Sequence, residues 1–99
     1  MKNIINQLNK AFENRIRLGI MSSLMVNDEL DFNTLKELLD STDGNLSSHV
    51  SALEKLDYLI VKKSFSGKKP QTHYSMTLKG RNAFTDHIEA LGSLINKKA

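Results

Sequence analysis

The most constraining feature of the sequence is a short break, Ser41-Thr42-Asp43-Gly44, between two segments with helical periodicity. A hydroxyl at Thr42, three residues before Asn45, can accept one of the unpaired backbone N–H groups that begin a helix. Apolar residues recur at helical spacing on both sides of the break, as Leu35, Leu38 and Leu39 before it and as Leu46, Val50, Leu53 and Leu56 after it. The pattern therefore predicts two helices joined by a tight turn.

Two segments rich in β-forming residues follow the second helix, at residues 58–61 and 72–76. Between them, residues 66–70 supply turn formers and positive charge, which predicts a hairpin with a loose tip. We expect the strand position of Phe65 to bury its ring. Leu30-Asp31-Phe32 is a candidate for a short third strand that pairs with this hairpin.

Amphipathic helices are predicted at both ends of the chain. The first begins near Asn3 and is interrupted between residues 9 and 14. We expect Asn33 or Thr34 to cap the next helix and Thr77 to cap the last one. The last helix carries the apolar residues Leu78, Phe84, Ile88, Leu91 and Ile95, and Lys97 and Lys98 suit its C-terminus. The predicted fold is mainly α-helical with a small β-hairpin, which places it in the α+β class.

The composition fits one soluble globular domain. The 99 residues are 39% hydrophobic and 25% charged, which is too apolar for a disordered chain. No apolar run approaches the ~20 residues that span a bilayer, and the amphipathic N-terminus lacks the apolar segment of a secretion signal. The absence of cysteine excludes disulfides and thiol chemistry and suits a reducing compartment. We expect a cytoplasmic protein whose single domain covers residues 1–99, with its core in residues 12–85.

Positive charge is concentrated on the predicted hairpin. The formal net charge is only +3, but Lys62, Lys63, Lys68 and Lys69 lie within eight positions that contain no acidic residue. A charge run of this kind is often only a solvated surface. Its position on a hairpin that follows two tightly connected helices favours contact with DNA.

The outward face of the second predicted helix is small and polar, without the Glu and Lys typical of a face exposed only to water. Small residues let a helix backbone approach the major groove, where hydroxyl and amide groups can bond to base edges or phosphates. Asn45 is the best candidate for a specific base contact because its amide can form two hydrogen bonds with adenine. The residues of this helix expected at DNA are Thr42, Gly44, Asn45, Ser47, Ser48, Ser51 and Lys55.

Some polar residues of this segment have a purely structural alternative. Thr42 and Asn45 could serve only the helix cap and the turn. We expect Asp43 to serve the positive N-terminus of the helix, because its carboxylate would repel a phosphate. His49 lies at the edge of the apolar side, where it is either a partly buried structural histidine or a DNA contact.

The hairpin and the segment near residue 15 are expected to contact the DNA backbone, which contributes affinity and salt dependence. Lys62 and Lys63 alternate across a strand, so only one of them can easily face the DNA. For each basic residue the alternative is a solvated surface charge. The backbone contacts expected are Lys63, Ser66, Lys68, Lys69, Thr72, Arg15 and Arg17.

Taken together, the segments around residues 15–18, 35–56, 58–72 and 78–81 resemble the small winged helix-turn-helix transcriptional regulators related to MarR and ArsR proteins. The resemblance covers roughly residues 12–85. It implies a homodimeric, sequence-specific DNA-binding regulator with Asn45, Ser47, Ser48 and the lysines of the hairpin, or wing, at DNA.

One departure from the ArsR pattern concerns metal binding. Metal sensors of that type use cysteine clusters or paired acidic and histidine ligands, often on the last helix. Here only the neighbours Asp86 and His87 are available, and they point about 100° apart on a helix. We therefore expect no metal site and no cofactor; whether a small-molecule effector binds is left open.

The terminal helices carry more apolar surface than so small a domain can easily bury. Phe84, Ile88, Leu91 and Ile95 follow spacings of four, three and four, as in the seam between two packed helices. The alternative, packing inside the monomer, suits Phe84 but not Ile95. We expect residues 1–11 and 86–99 to form a dimer interface that includes Ile4, Ile5, Leu8, Ile88, Leu91 and Ile95.

A symmetric dimer would place two recognition helices about 34 Å apart, which matches successive major grooves of a palindromic site. We expect repression, because blocking polymerase is the simpler mechanism for so small a protein. The sequence does not suggest an enzyme, since His49, His73 and His87 fall on three different elements and the five glycines form no phosphate-binding loop.

Two alternative functions differ in the surface that each requires. A winged helix that binds a protein instead of specific DNA would carry acidic or bulky apolar residues on the outward face of its recognition helix. RNA binding would be better supported by exposed aromatic residues for base stacking. The small polar face found here favours DNA.

Overall fold

The computed structural model describes residues 1–96, so the expected role of Lys97 and Lys98 lies outside the described residues. Three antiparallel strands form one sheet in the order β1-β3-β2, and helices surround its base. The elements in chain order are α1 (Lys2–Gln7), a short 3-10 helix (Lys10–Phe12), α2 (Arg15–Met25), β1 (Leu30–Asp31), α3 (Phe32–Leu39), α4 (Asp43–Lys55), β2 (Leu59–Ser66), β3 (Lys69–Met76) and α5 (Leu78–Ile95).

Two asparagines account for the predicted interruption of the N-terminal helix. The Asn9 side chain accepts a hydrogen bond from the Ala11 backbone N–H at 2.9 Å and begins the 3-10 helix. The Asn14 side chain accepts from the N–H groups of Ile16 and Arg17 and begins α2. Each asparagine starts a new helix because it satisfies backbone donors that lack an intrahelical partner.

The predicted pair of helices and tight turn is confirmed in α3 and α4. The Thr42 hydroxyl accepts from the Asn45 N–H at 3.2 Å, as expected of the cap of α4. The expected cap of α3 was wrong, because α3 begins two residues earlier than a cap at Asn33 would allow and three residues earlier than a cap at Thr34 would allow. Asp31 is its N-terminal cap residue, and the Thr34 hydroxyl donates a hydrogen bond to the Asp31 carboxylate.

Two leucines predicted to face the core are exposed. Leu38 is 59% exposed because it lies about 60° from Leu35 around α3, on the side away from Leu39. Leu56 is 42% exposed because α4 ends at Lys55 and the chain turns away there. Of the other residues predicted to face the core, Leu39 is half-buried and packs against it, and the buried ones are Leu35, Leu46, Val50 and Leu53.

The hairpin, which we call the wing, is longer and tighter than predicted. Its strands pair from Leu59 with Met76 out to Ser66 with Lys69, so the turn contains only Gly67 and Lys68. Gly67 adopts a φ of 66°, which glycine reaches at little cost. The expectation of a loose tip was therefore wrong. Leu30 and Asp31 pair with Tyr74 and His73, which confirms the short third strand except for Phe32, the first residue of α3.

Phe65 is 74% exposed, contrary to the expectation that its strand position would bury it. The strand continues past the body of the domain, and Phe65 pairs with the exposed Pro70 near the tip. Residues 31–33, in β1 and the start of α3, lie beside the neighbouring strand β3 at residues 69–72 and leave the Phe65 ring open to solvent.

The core is centred on Phe12, whose ring lies 5.3 Å from that of Tyr58 and 5.2 Å from that of Phe84, centroid to centroid. His87 is also buried, and its Nδ1 accepts a hydrogen bond from the Asn9 backbone N–H at 2.9 Å. This bond ties the segment after α1 to α5. The other buried apolar residues of the core are Ile20, Met21, Leu24, Leu35, Leu46, Val50, Leu53, Leu59 and Tyr74.

The start of α5 is fixed against the base of the wing. The Thr77 hydroxyl accepts from the Gly80 N–H at 2.8 Å, which confirms the predicted cap, and it donates to the Asp57 carbonyl at 2.6 Å. A Cβ on Gly80 would lie only 2.3 Å from the Tyr58 carbonyl oxygen, so a glycine permits this close approach. Leu78, expected in the apolar stripe, is 74% exposed because it lies in the first turn of α5 on the side away from Phe84 and His87.

Candidate nucleic-acid interface

The two faces of α4 differ as the sequence predicts. Leu46, Val50 and Leu53 are buried against the core, whereas the other side of the helix is open to solvent. Of the predicted DNA contacts in this segment, Ser51 is half-buried, and the exposed ones are Thr42, Gly44, Asn45, Ser47, Ser48 and Lys55. The helix therefore presents hydroxyl and amide groups with little bulk between its backbone and a ligand.

The acidic residue at the start of α4 has a basic partner. Asp43 lies in the first turn of the helix, where a negative charge interacts favourably with the helix dipole. Its carboxylate also pairs with the Lys36 ammonium of α3 at 2.7 Å. Because both side chains are largely exposed, this pair adds little stability, but it offsets the negative charge beside the outward face of α4.

A groove of about 200 Å³ runs between α4 and the wing and brings the two groups of predicted contacts together. Four of them line it, two from the helix and two from the wing: Ser47, Ser51, Lys63 and Thr72. Glu54 also lines the groove, a position that the helical pattern did not single out. Burial raises the pKa of the neighbouring Tyr74 hydroxyl, and the negative charge of Glu54 raises it further.

The register of the wing decides which lysines lie on the side of α4. Lys63 pairs with Thr72 and shares its face of the sheet with that groove, whereas Lys62 pairs with His73 on the opposite face. Ser66 and Lys69 pair with each other on the face away from α4, and Lys68 lies in the turn. The predicted wing residues thus divide between the helix side and the tip.

His49 is linked to α2 by a hydrogen bond that the sequence did not suggest. The Arg17 Nε donates to the His49 Nδ1 at 3.0 Å, joining two residues that are 32 positions apart. Burial lowers the pKa of His49, and the positive charge of Arg17 lowers it further. His49 is therefore a half-buried neutral acceptor that holds Arg17 beside α4, while Arg15 is exposed at the start of α2.

The apolar residues of α5 that are expected at a dimer interface are exposed, whereas Phe84 of the same stripe is buried. Ile88 is 44% exposed, Leu91 is 38% exposed and Ile95 is 85% exposed. α1 packs along α5, where Ile5 is exposed and Ile4 and Leu8 are half-buried. An apolar groove lined in part by Met25, Phe84 and Ile88 continues this surface between α2 and α5.

Neither metal binding nor membrane insertion finds support in residues 1–96. Within them, no three histidine, aspartate or glutamate side chains approach one another closely enough to hold a metal ion. Asp86 is exposed while His87 is buried against Phe12, so the two do not share a site. None of the helices described has the length and apolar content that crossing a bilayer requires.

A recognition helix with a small polar face, held beside a basic hairpin on a three-stranded sheet, defines a winged helix-turn-helix protein. The chain belongs to the winged helix DNA-binding domain family, whose model matches residues 16–95. It is also similar to an uncharacterized protein of Methanocaldococcus jannaschii, with 38% identity over 79 residues that cover 80% of this chain and 86% of the other.

Solved structures share the whole architecture. A transcriptional regulator homologue from Pyrococcus horikoshii is 29% identical, with a TM-score of 0.84 over 95% of this chain and 91% of its own. A MarR-family regulator from Silicibacter pomeroyi is 13% identical, with a TM-score of 0.63 over 100% of this chain and 71% of its own. Reduced AbfR bound to DNA is 17% identical, with a TM-score of 0.75 over 90% of this chain and 64% of its own.

The family and the fold confirm the class predicted from the sequence. The protein is a winged-helix DNA-binding regulator whose fold is shared by a MarR-family regulator, and this class is not one of enzymes.

Proposed function

We propose that the protein acts as a homodimeric repressor that binds a palindromic site, with α4 in the major groove and the wing on the backbone and minor groove. The observation that carries the proposal is the exposed polar face of α4, including Asn45, Ser47 and Ser48, beside a wing whose four lysines lie within eight sequence positions that contain no acidic residue. A related fold has been solved with DNA bound, in reduced AbfR.

The polar residues of α4 divide into base contacts and backbone contacts. Asn45 is exposed in the first turn of α4, and its amide can pair with an adenine edge. Ser47 and Ser51 lie on the side of the groove shared with the wing, where their hydroxyls can bond to phosphates. Thr42, Gly44, Ser48 and Lys55 complete the expected surface of the helix.

The basic residues provide affinity that does not depend on sequence. Lys63 and Thr72 approach DNA from the helix side of the wing, and Ser66, Lys68 and Lys69 approach it from the tip. Arg17 is held by His49 through its Nε, which leaves the two terminal nitrogens of the guanidinium free to meet a phosphate. Arg15 adds a second charge at the start of α2.

The dimer forms through the terminal helices, outside the core at residues 12–85. Exposed apolar side chains on α5 support this assignment, because Ile88, Leu91 and Ile95 remain in contact with solvent in the single chain. α1 also packs along α5, and it brings Ile4, Ile5 and the following Leu8 to this region. A twofold interface of this kind sets the distance between the two recognition helices at one turn of DNA, about 34 Å.

Repression follows from occupancy of the site. In residues 1–96 the fold consists of the winged helix and the helices that flank it, so a bound dimer would act by excluding other proteins from the promoter. A promoter–reporter strain tests this step. Loss of the protein should raise transcription from the selected site, whereas a fall would identify an activator.

The first test is selection of bound duplexes from a random DNA pool, with the mass of the free protein measured by sedimentation. Enrichment of a palindrome with half-sites about one helical turn apart, together with a dimer mass, is the expected result. A single enriched half-site and a monomer mass would refute the dimer. No enrichment, with binding that disappears at moderate salt, would instead favour a winged helix that binds a protein partner.

A further inference from the structure

We propose that Phe65 is an apolar wedge that the wing inserts into the minor groove beside the recognition helix, partly unstacking one base step and kinking the duplex. This inference rests on the proposed binding of double-stranded DNA by α4 and the wing. It begins from the 74% exposure of the Phe65 ring at the tip of a rigid hairpin. Exposed phenylalanine contributes nothing to the core, so its ring is available to a ligand.

The position of the ring suits insertion beside the major groove. Phe65 pairs with Pro70 and lies on the same face of the sheet as Lys63 and Thr72, which line the groove against α4. Phe65 is four residues beyond Val61, the innermost residue of β2 that lines this groove, which corresponds to ~13 Å along the strand. The major groove is about 12 Å wide. With α4 in that groove, the ring therefore reaches across one phosphate backbone into the adjoining minor groove.

The charges around the ring match a nucleic acid. Lys63, Lys68 and Lys69 lie on either side of Phe65 in sequence, and residues 62–69 contain no acid. The lysines can bind the phosphates that border a minor groove while the ring contacts its apolar floor of sugars and base edges. Apolar side chains inserted at such sites, including phenylalanine and leucine, separate base steps and bend the duplex towards the major groove.

The wing is also stiff enough to act as a wedge. Its strands are paired up to the two-residue turn, so the tip has no loose segment that would let the ring move away. Pro70 opposite Phe65 has a fixed φ and no backbone N–H, and its own apolar ring lies next to the phenylalanine on the same face.

The wedge gives the protein a sequence preference at a base step with which it forms no hydrogen bonds. Pyrimidine–purine steps such as TA and CA/TG unstack most easily. The site should therefore carry such a step at a constant distance outside the bases that α4 contacts, in each half of the palindrome.

The test uses two duplexes that contain 2-aminopurine, a base whose fluorescence rises when it is unstacked. One duplex is the sequence selected from the random pool, labelled at each flexible step in turn, and the other consists of alternating A·T pairs. Wild-type protein, Phe65→Ala, Phe65→Leu and Ile60→Ala are compared. Ile60→Ala is the matched control because Ile60 is an exposed apolar residue on the opposite face of the same strand.

Wild-type protein and Ile60→Ala should raise the fluorescence at one step per half-site, and Phe65→Leu should retain most of this signal. Phe65→Ala should lose the signal and bind the selected duplex about tenfold more weakly. The wedge is refuted if wild-type protein leaves every labelled step stacked, if Phe65→Ala keeps the full signal, or if Ile60→Ala weakens binding as much as Phe65→Ala does.

Failure of the proposed function gives a different result from failure of the wedge. If the random pool yields no sequence, the specific-repressor proposal fails, and the alternating duplex still tests unstacking by Phe65 during general binding. If the selected duplex is bound tightly and stays fully stacked, the repressor proposal stands and only the wedge fails. Absence of binding to either duplex refutes both.

Discussion

Replacing the two lysines at the tip of the wing, Lys68→Ala with Lys69→Ala, should weaken binding to every DNA sequence and reduce its dependence on salt. Lys68 lies in the two-residue turn and Lys69 begins β3, and both side chains are exposed. Each phosphate contact releases condensed counterions from the duplex, so the number of lost contacts appears directly in the salt dependence of the association constant.

The expected magnitude depends on how many wings bind. Each phosphate contact contributes ~0.9 to the slope of log K against log salt concentration, so loss of both lysines removes about 1.8 units per wing. A dimer with both wings on DNA loses about 3.6 units. When the salt concentration rises from 50 to 200 mM, the affinity of the wild-type protein should fall about 150-fold more than that of the variant if both wings bind. The difference should be about 12-fold if only one wing binds.

Fluorescence anisotropy titrations at several salt concentrations, on the selected duplex and on a random one, measure these slopes. The matched control is Lys79→Ala with Arg81→Ala, which removes the same charge from exposed positions at the start of α5, outside the expected DNA contacts and the terminal dimer segments. A slope that is the same in the wild type and the wing variant would falsify the assignment of these lysines to phosphate. An equal change in the control would attribute the effect to net charge alone.

Three further predictions concern base recognition, the core and pH. Asn45→Ala should reduce the preference for the selected duplex over a random one by roughly 1–3 kcal/mol in competition binding, and equal losses on both would reject Asn45 as a base contact. Leu53→Ala should lower the free energy of unfolding in urea by about 2–5 kcal/mol because Leu53 is fully buried, while the exposed Leu38→Ala should change it little. Burial lowers the pKa of His87, so the unfolded chain binds a proton at this histidine more readily than the folded protein does. The stability that neutral His87 contributes is therefore fully present above a pH of about 6.5 and falls as the pH drops towards the folded-state pKa. His87→Gln should reduce this fall in urea midpoints between neutral and acidic pH, and an identical pH profile in the variant would show that other groups cause it.

Elements fixed by local chemistry could be predicted from the sequence. Thr42 and Thr77 cap their helices through hydrogen bonds to N–H groups three residues away, so the sequence contains everything that the cap requires. The inward face of α4 follows from the spacing of Leu46, Val50 and Leu53 in the same way. The small polar face of α4 and the basic wing could be predicted because they too depend only on residues close together in the sequence.

Features that depend on distant contacts could not be predicted in this way. The partner of His49 is Arg17, and that of His87 is the backbone of Asn9, 78 positions away, so no local pattern announces either bond. The exposure of Phe65 depends on where the hairpin leaves the body of the domain, which strand propensity does not describe. The alternation along a strand correctly separates Lys62 from Lys63, but only the packing of β2 against α4 decides which of the two faces that helix.

The close contact between Gly80 and the backbone of Tyr58 couples the movement of α5 to that of the wing. Because no side chain separates the helix from the base of the wing, the first turn of α5 and the wing must move together. The helix has 18 residues and is therefore ~27 Å long. In the proposed dimer, a rotation of each α5 helix by about 10° about Ile95 would displace its first turn, at the base of the wing, by roughly 5 Å. A change in the packing of the two α5 helices would thus alter the spacing of the two recognition helices without changing any residue that contacts the DNA.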